Sequence, residues 1–298
     1  MLGMFERQAQ DDVWAAEPRT RISASLDPAG KARPTQGGVV LNGHHRYASG
    51  IDHAQWLIVG GFVADGGTQR RSLFLLPKRD GTVIDDWHVA GLAGTGSNSF
   101  VVDEVFIPAH HVVDFQKTGD GRGPGSVLPD AAPVYRMPRH DVAPSGFGAI
   151  AIGIAEAFVA EYIAYTQARV SRGLAMAEFT GTQIEIGKAV AEIEGAWVYL
   201  IDMVRDVMQQ LADGREIGTA QRLKVKLATS HACQSALAVV QRLFNSAGGR
   251  ALFTDMPMQR RLRDLYAVSA HRSTHWDLNA AAVGAHLLGA EMPKGAAR

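Results

Sequence analysis

The 298-residue sequence holds one cysteine, Cys233, so no disulfide can form within the chain, and a reducing, cytoplasmic setting is expected. No charge of either sign is in excess: 30 Lys plus Arg face 30 Asp plus Glu, a net charge of zero. A general nucleic-acid or anionic-membrane binder needs a basic surplus, so neither partner is expected. The longest apolar run, Gly146 to Ala155, stops at Glu156, short of the roughly 20 residues a membrane span takes. No charged, then apolar, then small-residue leader opens the sequence. Aromatics are scarce at 7%, but 46% hydrophobic against 20% charged residues excludes a largely disordered chain and leaves material for a sizeable core. Strands and helices do not alternate as in a dinucleotide-binding fold, and no Gly-x-Ser-x-Gly elbow offers a hydrolase nucleophile.

What is present falls into two halves of different period. Residues 20–118 carry short apolar or alternating runs at Val39–Leu41, Ala54–Val63, Ser72–Leu76 and Phe100–Ile107. Turn chemistry separates them at Gly37-Gly38, Asp65-Gly66-Gly67, Asp80-Gly81 and the Gly91–Ser99 loop, which predicts an antiparallel sheet folded on itself. Residues 119–144 are rich in Gly and Pro and read as a linker or surface excursion. Beyond them Ile186, Val190, Ile193, Trp197, Leu200, Val204, Val207 and Leu211 step by three or four down one helix ended by Asp213-Gly214. Thr219 is placed to cap a second helix, striped by Leu223, Leu227, Leu237, Val240 and Phe244 and stopped by Gly248-Gly249. Residues 146–171 and 257–289 supply two more helical stretches. The expected fold is α+β: a short helical remnant at 1–19, an antiparallel barrel-like or sandwich β domain at 20–118, the linker at 119–144, and a four-helix bundle at 145–298. Met4 to Trp14 is expected to form one amphipathic helix that leans on another element.

Eleven histidines invite a metal, yet the spacings argue against one. His44-His45 and His110-His111 are adjacent and in strands would point to opposite faces. His271 and His275 lie four apart, on one face of a helix, with no carboxylate between them. No metal is expected. His271 or His275 suits a hydrogen-bond donor or proton acceptor near neutral pH. Cys233 reads as a structural thiol, and Glu185, Glu192 and Glu194 as a solvated face. Tyr47-Ala48-Ser49-Gly50, Asn245–Arg250 and Arg169–Gly173 join glycines to hydroxyls or cations, a chemistry that permits a nucleotide ligand.

In order along the chain, these segments resemble the acyl-CoA dehydrogenase fold and, within it, the flavin-dependent monooxygenases of the two-component type. Ile22-Ser23-Ala24-Ser25-Leu26 is similar to the strand that lines the flavin ring there. Arg46 to Trp56 resembles the segment of the aromatic hydroxylases whose serine, here Ser49, faces flavin N5. Gly91-Leu92-Ala93-Gly94-Thr95-Gly96-Ser97, running on to Pro108, is similar to the last part of the family's β domain, with Ala93 where an arginine is common. Arg169 and Gln183 resemble the pair that reaches a neighbouring subunit's cofactor. Ser246–Arg250 resembles the Gly-Gly turn near the pyrophosphate or adenine end, and Arg263-Asp264-Leu265 through His275-Trp276-Asp277 the final active-site helix. The resemblance implies cofactor contacts from Ser23, Ser25, Ser49, Gly50, Thr95, Arg169, Gln183, Gly248 and Gly249. It also implies a homodimer or homotetramer, and an N-terminal helical domain of about one hundred residues that this sequence is expected to lack.

Two chemistries compete within that resemblance. An acyl-CoA dehydrogenase takes an α-proton with a carboxylate, but Ala270-His271-Arg272-Ser273 occupies the comparable place after Arg263-Asp264. A monooxygenase needs reduced flavin, O2, a site dry enough to limit waste as H2O2, and a group that assists deprotonation of a phenol. His271 stands at the matching position, with His275 in reserve and Ser49 as the flavin partner. The expected activity is an oxygenase component that hydroxylates an aromatic, phenolic substrate with FADH2 or FMNH2 from a separate NAD(P)H-flavin reductase. The alternatives are an acyl-CoA dehydrogenase-like FAD oxidoreductase and a truncated, non-catalytic family member that serves as an oligomer subunit.

Overall fold

A computed structural model describes residues 1–171 and 173–293. Of the segments singled out above, Arg172 lies outside the described residues. The chain forms two compact units, one from Met1–Val89 with Ala93–Arg139, the other from Ala90–Leu92 with the chain from His140 onward.

The first unit is built on a sheet of β1 (Ile22–Thr35), β2 (Gly38–His45), β3 (Trp56–Asp65), β4 (Thr68–Pro77), β5 (Thr82–Ile84), β6 (Ser99–Pro108) and β7 (Val112–Asp114). Its strand order is β5-β6-β2-β1-β3-β4-β7. Gly37 (φ 81°) turns β1 into β2, and Gly66 and Gly67 (φ 51° and 92°) turn β3 into β4, left-handed positions that cost glycine little. The sheet is mixed, contrary to the all-antiparallel expectation: β1 and β3 pair in parallel, from Ile22↔Trp56 to Ala32↔Val63. The chain leaves β2 by residues 46–55 and crosses over β1 to reach β3, so turn signals alone did not reveal the parallel pair. β1 also escaped the alternation reading because Pro28 sits in its bulge between Ser25 and Gly30. There the backbones nearly touch; a Cβ on Gly61 would lie 2.5 Å from the Gly30 carbonyl oxygen.

Both faces of this sheet are covered. Leu41, Leu57, Val59, Phe74, Leu76 and Phe100 fill one side. On the other, Ile58, Leu73 and Leu75 receive Leu2, Phe5, Ala9 and Val13. The expected Met4–Trp14 helix is shorter: α1 runs Arg7–Trp14 after a separate 3-10 turn at Leu2–Met4. Beyond β7, Asp114 caps α2 (Phe115–Gly119) by accepting from the Lys117 N–H at 2.8 Å. Residues 119–139 then pack back on the N-terminus, where Gly123 and Gly125 lie against the backbone of Met4, Gly3 and Phe5. The adjacent His110 and His111 occupy a 3-10 turn (Ala109–His111) rather than a strand, so their rings converge instead of facing opposite ways.

His44 and His45 do face opposite sides, and His45 is fully buried with neither ring nitrogen bonded. Burial pushes it down to about 4, against an opposing pull from Asp27. Above its unfolded value of 6.5 the ring is neutral in both states, and the pH has no effect through it. Between 6.5 and about 4 only the unfolded chain takes the proton, so stability falls as the pH falls. The loss approaches about 3 kcal/mol. Urea midpoints followed from pH 7 to pH 4 should drop accordingly, and His45→Gln should remove that part of the slope.

The second unit is helical, with α3 (Arg139–Val142) leading in, then α4 (Ser145–Gln167), α5 (Thr180–Ala212), α6 (Thr219–Ala247), α7 (Pro257–Ser269) and α8 (Trp276–Leu288). A two-stranded ribbon, β8 (Val170–Ser171) and β9 (Leu174–Ala175), links α4 to α5. By length and composition α3–α4 is apolar enough to cross a membrane. Its apolarity is used in the core instead: Ala151, Ile152, Ala155, Phe158 and Val159 pack with Ala228, Ala232, Ala236, Val239 and Leu243 of α6, whose small side chains let the two helices approach closely. The α5 stripe is buried at Ile193, Leu200, Val207 and Leu211, whereas Val190 and Trp197 of the expected stripe are exposed, and the helix ends before Asp213-Gly214 as read. Along α6 the buried face is rotated toward the alanines, leaving Leu227, Leu237 and Phe244 partly exposed. Thr219 does not cap α6, since the N-cap is Gly218. Glu185 and Glu192 are not simply solvated either; both accept from Arg242 of α6, at 2.7 and 2.6 Å.

Candidate active site

Hydroxyl groups gather in the first unit where residues 46–55 cross over β1. Tyr47 and Gly50 both take left-handed backbone, φ 61° and 74°, which folds Tyr47–Gly50 into a tight turn; at tyrosine this conformation is rare enough to mark a site. Gly50 N–H donates to the Thr95 carbonyl at 2.8 Å and Ala48 N–H to that of Asn98 at 3.2 Å, so the loop before β6 is laced to this turn. Ser23 Oγ donates to the Ser49 carbonyl at 2.9 Å and Ser25 Oγ to the Arg46 carbonyl at 2.5 Å. Ser49 Oγ lies 2.8 Å from Ser97 Oγ, which lies 2.7 Å from Thr95 Oγ1. The structure thus brings Ser23, Ser25, Ser49, Gly50 and Thr95 together.

Sequence reasoning passed over the groups that hold this cluster. Asn98, almost fully buried, accepts from the Asp86 and Trp87 N–H groups and donates to Asp52. Asp86 in turn accepts from Ser99 N–H and Oγ at 2.8 and 2.6 Å, bonds that hold its carboxyl below the usual range. Gly96 (φ 49°) sits so close to Asp52 that a Cβ there would fall 2.6 Å from the carboxylate. An Asp-x-x-x-x-x-x-x-x-x-x-x-Asn pattern has no local signature, so nothing in the sequence marked it.

In the second unit, the expected single helix through His271 and His275 is broken. α7 stops at Ser269, a 3-10 turn spans Arg272–Thr274, and α8 starts at Trp276. His271 and His275 are the residues that precede the turn and α8, so they do not share a helical face. The His271 ring stacks on Phe147 at 4.1 Å between centroids. Its Nδ1 accepts from Ser273 N–H at 3.2 Å and lies 2.6 Å from Ser273 Oγ. Desolvation on the packed side moves it below the ordinary histidine value, so the ring is neutral at pH 7. With Nδ1 accepting, the neutral ring carries its proton on Nε2.

This turn is tied to the core. The buried Asn279 donates to the Ser273 carbonyl at 3.0 Å and to Ser230 Oγ of α6 at 2.7 Å. Thr274, also buried, donates to the His271 carbonyl at 2.7 Å, and its hydroxyl lies beside the Cys233 thiol. Burial pushes Cys233 up to about 12, the inert structural thiol expected of it. The Gly91-Leu92 segment joins α7: Leu92 N–H donates to Asp264 Oδ1 at 2.7 Å, and Arg263 donates to the Ala90 carbonyl. Asp264 is therefore committed to a backbone N–H and is poorly placed to act as a dehydrogenase base.

The remaining expected contacts lie at the other end of α4 and α6. Arg169 Nη1 donates to the Ala247 carbonyl at 2.9 Å, and its guanidinium lies against Gly248 (φ 78°). Gly248 and Gly249 end α6 as read. Arg250 is held by both oxygens of Asp255, at 2.8 and 2.5 Å, so its charge is already partnered. Gln183 donates to the Ala177 carbonyl at 2.9 Å, at the start of α5.

Residues 145–276 match the family described as acyl-CoA dehydrogenase, C-terminal domain. The oxygenase subunit HsaA of a flavin-dependent monooxygenase from Mycobacterium tuberculosis is 34% identical, over 91% of this chain and 69% of its own length. The oxygenase component of an FADH2-dependent resorcinol hydroxylase from a Rhizobium species is also 34% identical, over 99% of this chain and 75% of its own. The crystal structure of the M. tuberculosis HsaA monooxygenase superposes with a TM-score of 0.90 at 33% identity, covering 99% of this chain and 76% of that one. With the hydroxyl cluster and the His271 turn both assembled on that fold, the chain belongs to the flavin-dependent monooxygenases, as an oxygenase component of the aromatic hydroxylase type.

Proposed function

We propose that the chain hydroxylates a phenolic ring next to its hydroxyl group, using reduced flavin delivered by a separate reductase. The observation that carries the choice of residues is the His271 turn: a neutral imidazole stacked on Phe147, its Nδ1 already accepting from Ser273. In that tautomer Nε2–H is a donor. It would hydrogen-bond the substrate's phenolic oxygen and stabilise its ionised form, which makes the neighbouring ring carbon electron-rich. Of the donor and proton-acceptor roles that the sequence leaves open to His271, this is the donor; the proton would leave to solvent while His271 holds the oxyanion. His275 has no such anchoring and serves at most as a second polar group.

The residues present fit a flavin. Ser49, Thr95 and Ser97 offer a set of hydroxyls on a backbone fixed by Tyr47 and Gly50, suited to the polar edge of an isoalloxazine. Ser23 and Ser25 would buttress that set through the Ser49 and Arg46 carbonyls. Arg169 and Gln183 would serve the cofactor of a neighbouring subunit, and the Gly248-Gly249 turn suits a pyrophosphate or adenine end. When bound, reduced flavin supplies the two electrons that activate O2 for transfer of one oxygen atom to the ring. The chain's own part is to orient the ring, hold the phenolate and limit access of water. Association into dimers or tetramers is supported by apolar residues left exposed on α5, among them Ile184 and Val198, both 61% exposed. Balanced charge and the buried thiol suit the cytoplasm.

The test supplies FADH2 or FMNH2 from a reductase and NADH, in air, to the chain with a panel of phenols and catechols. Hydroxylated product in proportion to NADH consumed is expected with at least one phenol and with neither acyl-CoA nor non-phenolic ring analogues. Reduction of bound oxidised flavin by an acyl-CoA in the absence of oxygen would overturn the reading.

A further inference from the structure

We propose that Asp12, His110 and His111 form a binding site for a divalent transition-metal ion of the zinc class, clipping α1 to the turn before β7. The three residues come from segments about a hundred positions apart, yet their ligand atoms all lie within 4.8 Å of one another. His110 Nε2 is 2.7 Å and His111 Nε2 2.9 Å from the same oxygen, Asp12 Oδ2. Metal–nitrogen and metal–oxygen bonds of about 2.0–2.2 Å place neighbouring donors roughly 3.0–3.4 Å apart. The two nitrogen–oxygen spacings need open by only a few tenths of an ångström to reach that distance.

The parts of the site differ in freedom in a way that suits this. His111 is the fixed anchor: its side chain is 7% exposed and its ring packs edge-on against Trp56, 5.7 Å between centroids. The His110 ring sits 4.4 Å from that of His111 at a steep angle, presenting its nitrogen beside the other rather than stacked over it. Asp12, on the outer face of α1 with its side chain 41% exposed, can shift to adjust and leaves solvent a path in. α1 itself is seated by Ala9 and Val13 in the sheet's core, so the carboxylate is delivered by a docked helix.

Two imidazoles and one carboxylate form a nitrogen-rich donor set that suits Zn, Co, Ni or Cu and not Mg or Ca, whose sites are built from oxygen. Three protein ligands leave at least one position for water. Nothing in the proposed hydroxylation passes through these residues, so the site's role is to fasten the N-terminal helix.

The untagged 298-residue chain, stripped with chelator and dialysed, is titrated with Co2+ and watched for ligand-field absorption, then challenged with Zn2+. One equivalent of Co2+ should bind and be displaced by Zn2+, and Zn2+ should raise the melting temperature. Asp12→Asn and His110→Gln, both at exposed or partly exposed positions, should each weaken Co2+ binding on the order of a hundredfold or more and abolish the thermal shift. Failure of the folded parent chain to take up one equivalent, or uptake unchanged in both variants, overturns the proposal.

Discussion

His271→Ala is expected to cut hydroxylated product per NADH consumed by about a hundredfold or more, the scale on which a positioned hydrogen-bonding or proton-handling side chain acts, while H2O2 rises to account for the electrons. The argument rests on how the ring is held. Ser273 N–H fixes Nδ1 as an acceptor, Asn279 holds the Ser273 carbonyl, and Ser230 of α6 holds Asn279. A side chain so placed has one polar atom, Nε2–H, to offer a substrate. His271→Asn keeps an N–H donor of shorter reach and should restore part of the coupling, which a general base would not regain from an amide. Because burial depresses the imidazole, coupling in the parent should be flat from pH 7 to 8. It should change only below the ordinary histidine value of 6.5, as a second ring proton displaces the Ser273 contact. Product and peroxide measured together over that range decide the matter; equal coupling in parent and alanine variant would remove His271 from the mechanism.

Phe158→Ala should produce the largest loss of stability. Its side chain is fully buried in the helical core, with Phe244 6.4 Å away between ring centroids. Truncating a buried phenylalanine costs about 3–5 kcal/mol, the transfer free energy plus the cavity left behind. At roughly 2–4 °C per kcal/mol for a unit of this size, the helical melt should fall by about 10 °C. Phe158→Leu keeps most of the volume and should cost about 1–1.5 kcal/mol. Far-UV circular dichroism of the three proteins gives both differences; equal melts for parent and alanine variant would mean that the α4–α6 core is not what holds the unit.

The sequence displayed those elements whose signal is local. The α5 stripe, its stop at Asp213-Gly214 and the Gly248-Gly249 end of α6 follow from period and glycine alone, and the β3–β4 hairpin from Asp65-Gly66-Gly67. What escaped depends on partners distant in the chain. The parallel β1–β3 pair arises from a crossover, and the rotated α6 face from the alanines of a neighbouring helix. The break between α7 and α8 arises from side chains that take over the turn's backbone bonds: Asn279 and Thr274 outcompete a continuous helix through His271. The proposed cofactor residues show the same division. Ser23, Ser49, Gly50 and Thr95 stand out through resemblance, whereas Asn98, Asp52 and Asp86 tie them into one cluster without any short motif. His110 and His111 sit in a 3-10 turn between two strands, where the opposite-facing alternation of a strand does not apply.

The strip Ala90–Leu92 has a consequence for how the molecule can be divided. Its backbone is fastened to Arg263 and Asp264 on α7, although the chain on either side of it belongs to the sheet unit. No single cut can therefore separate the two units as intact pieces. A fragment starting at His140 leaves the Asp264 carboxylate without its amide partner, and one ending at Arg139 carries a three-residue tongue with nothing to grip. Gene fusions, domain exchanges and circular permutants of this enzyme inherit that constraint: the helical part is a discontinuous body, assembled only once sequence from well inside the sheet half has been made.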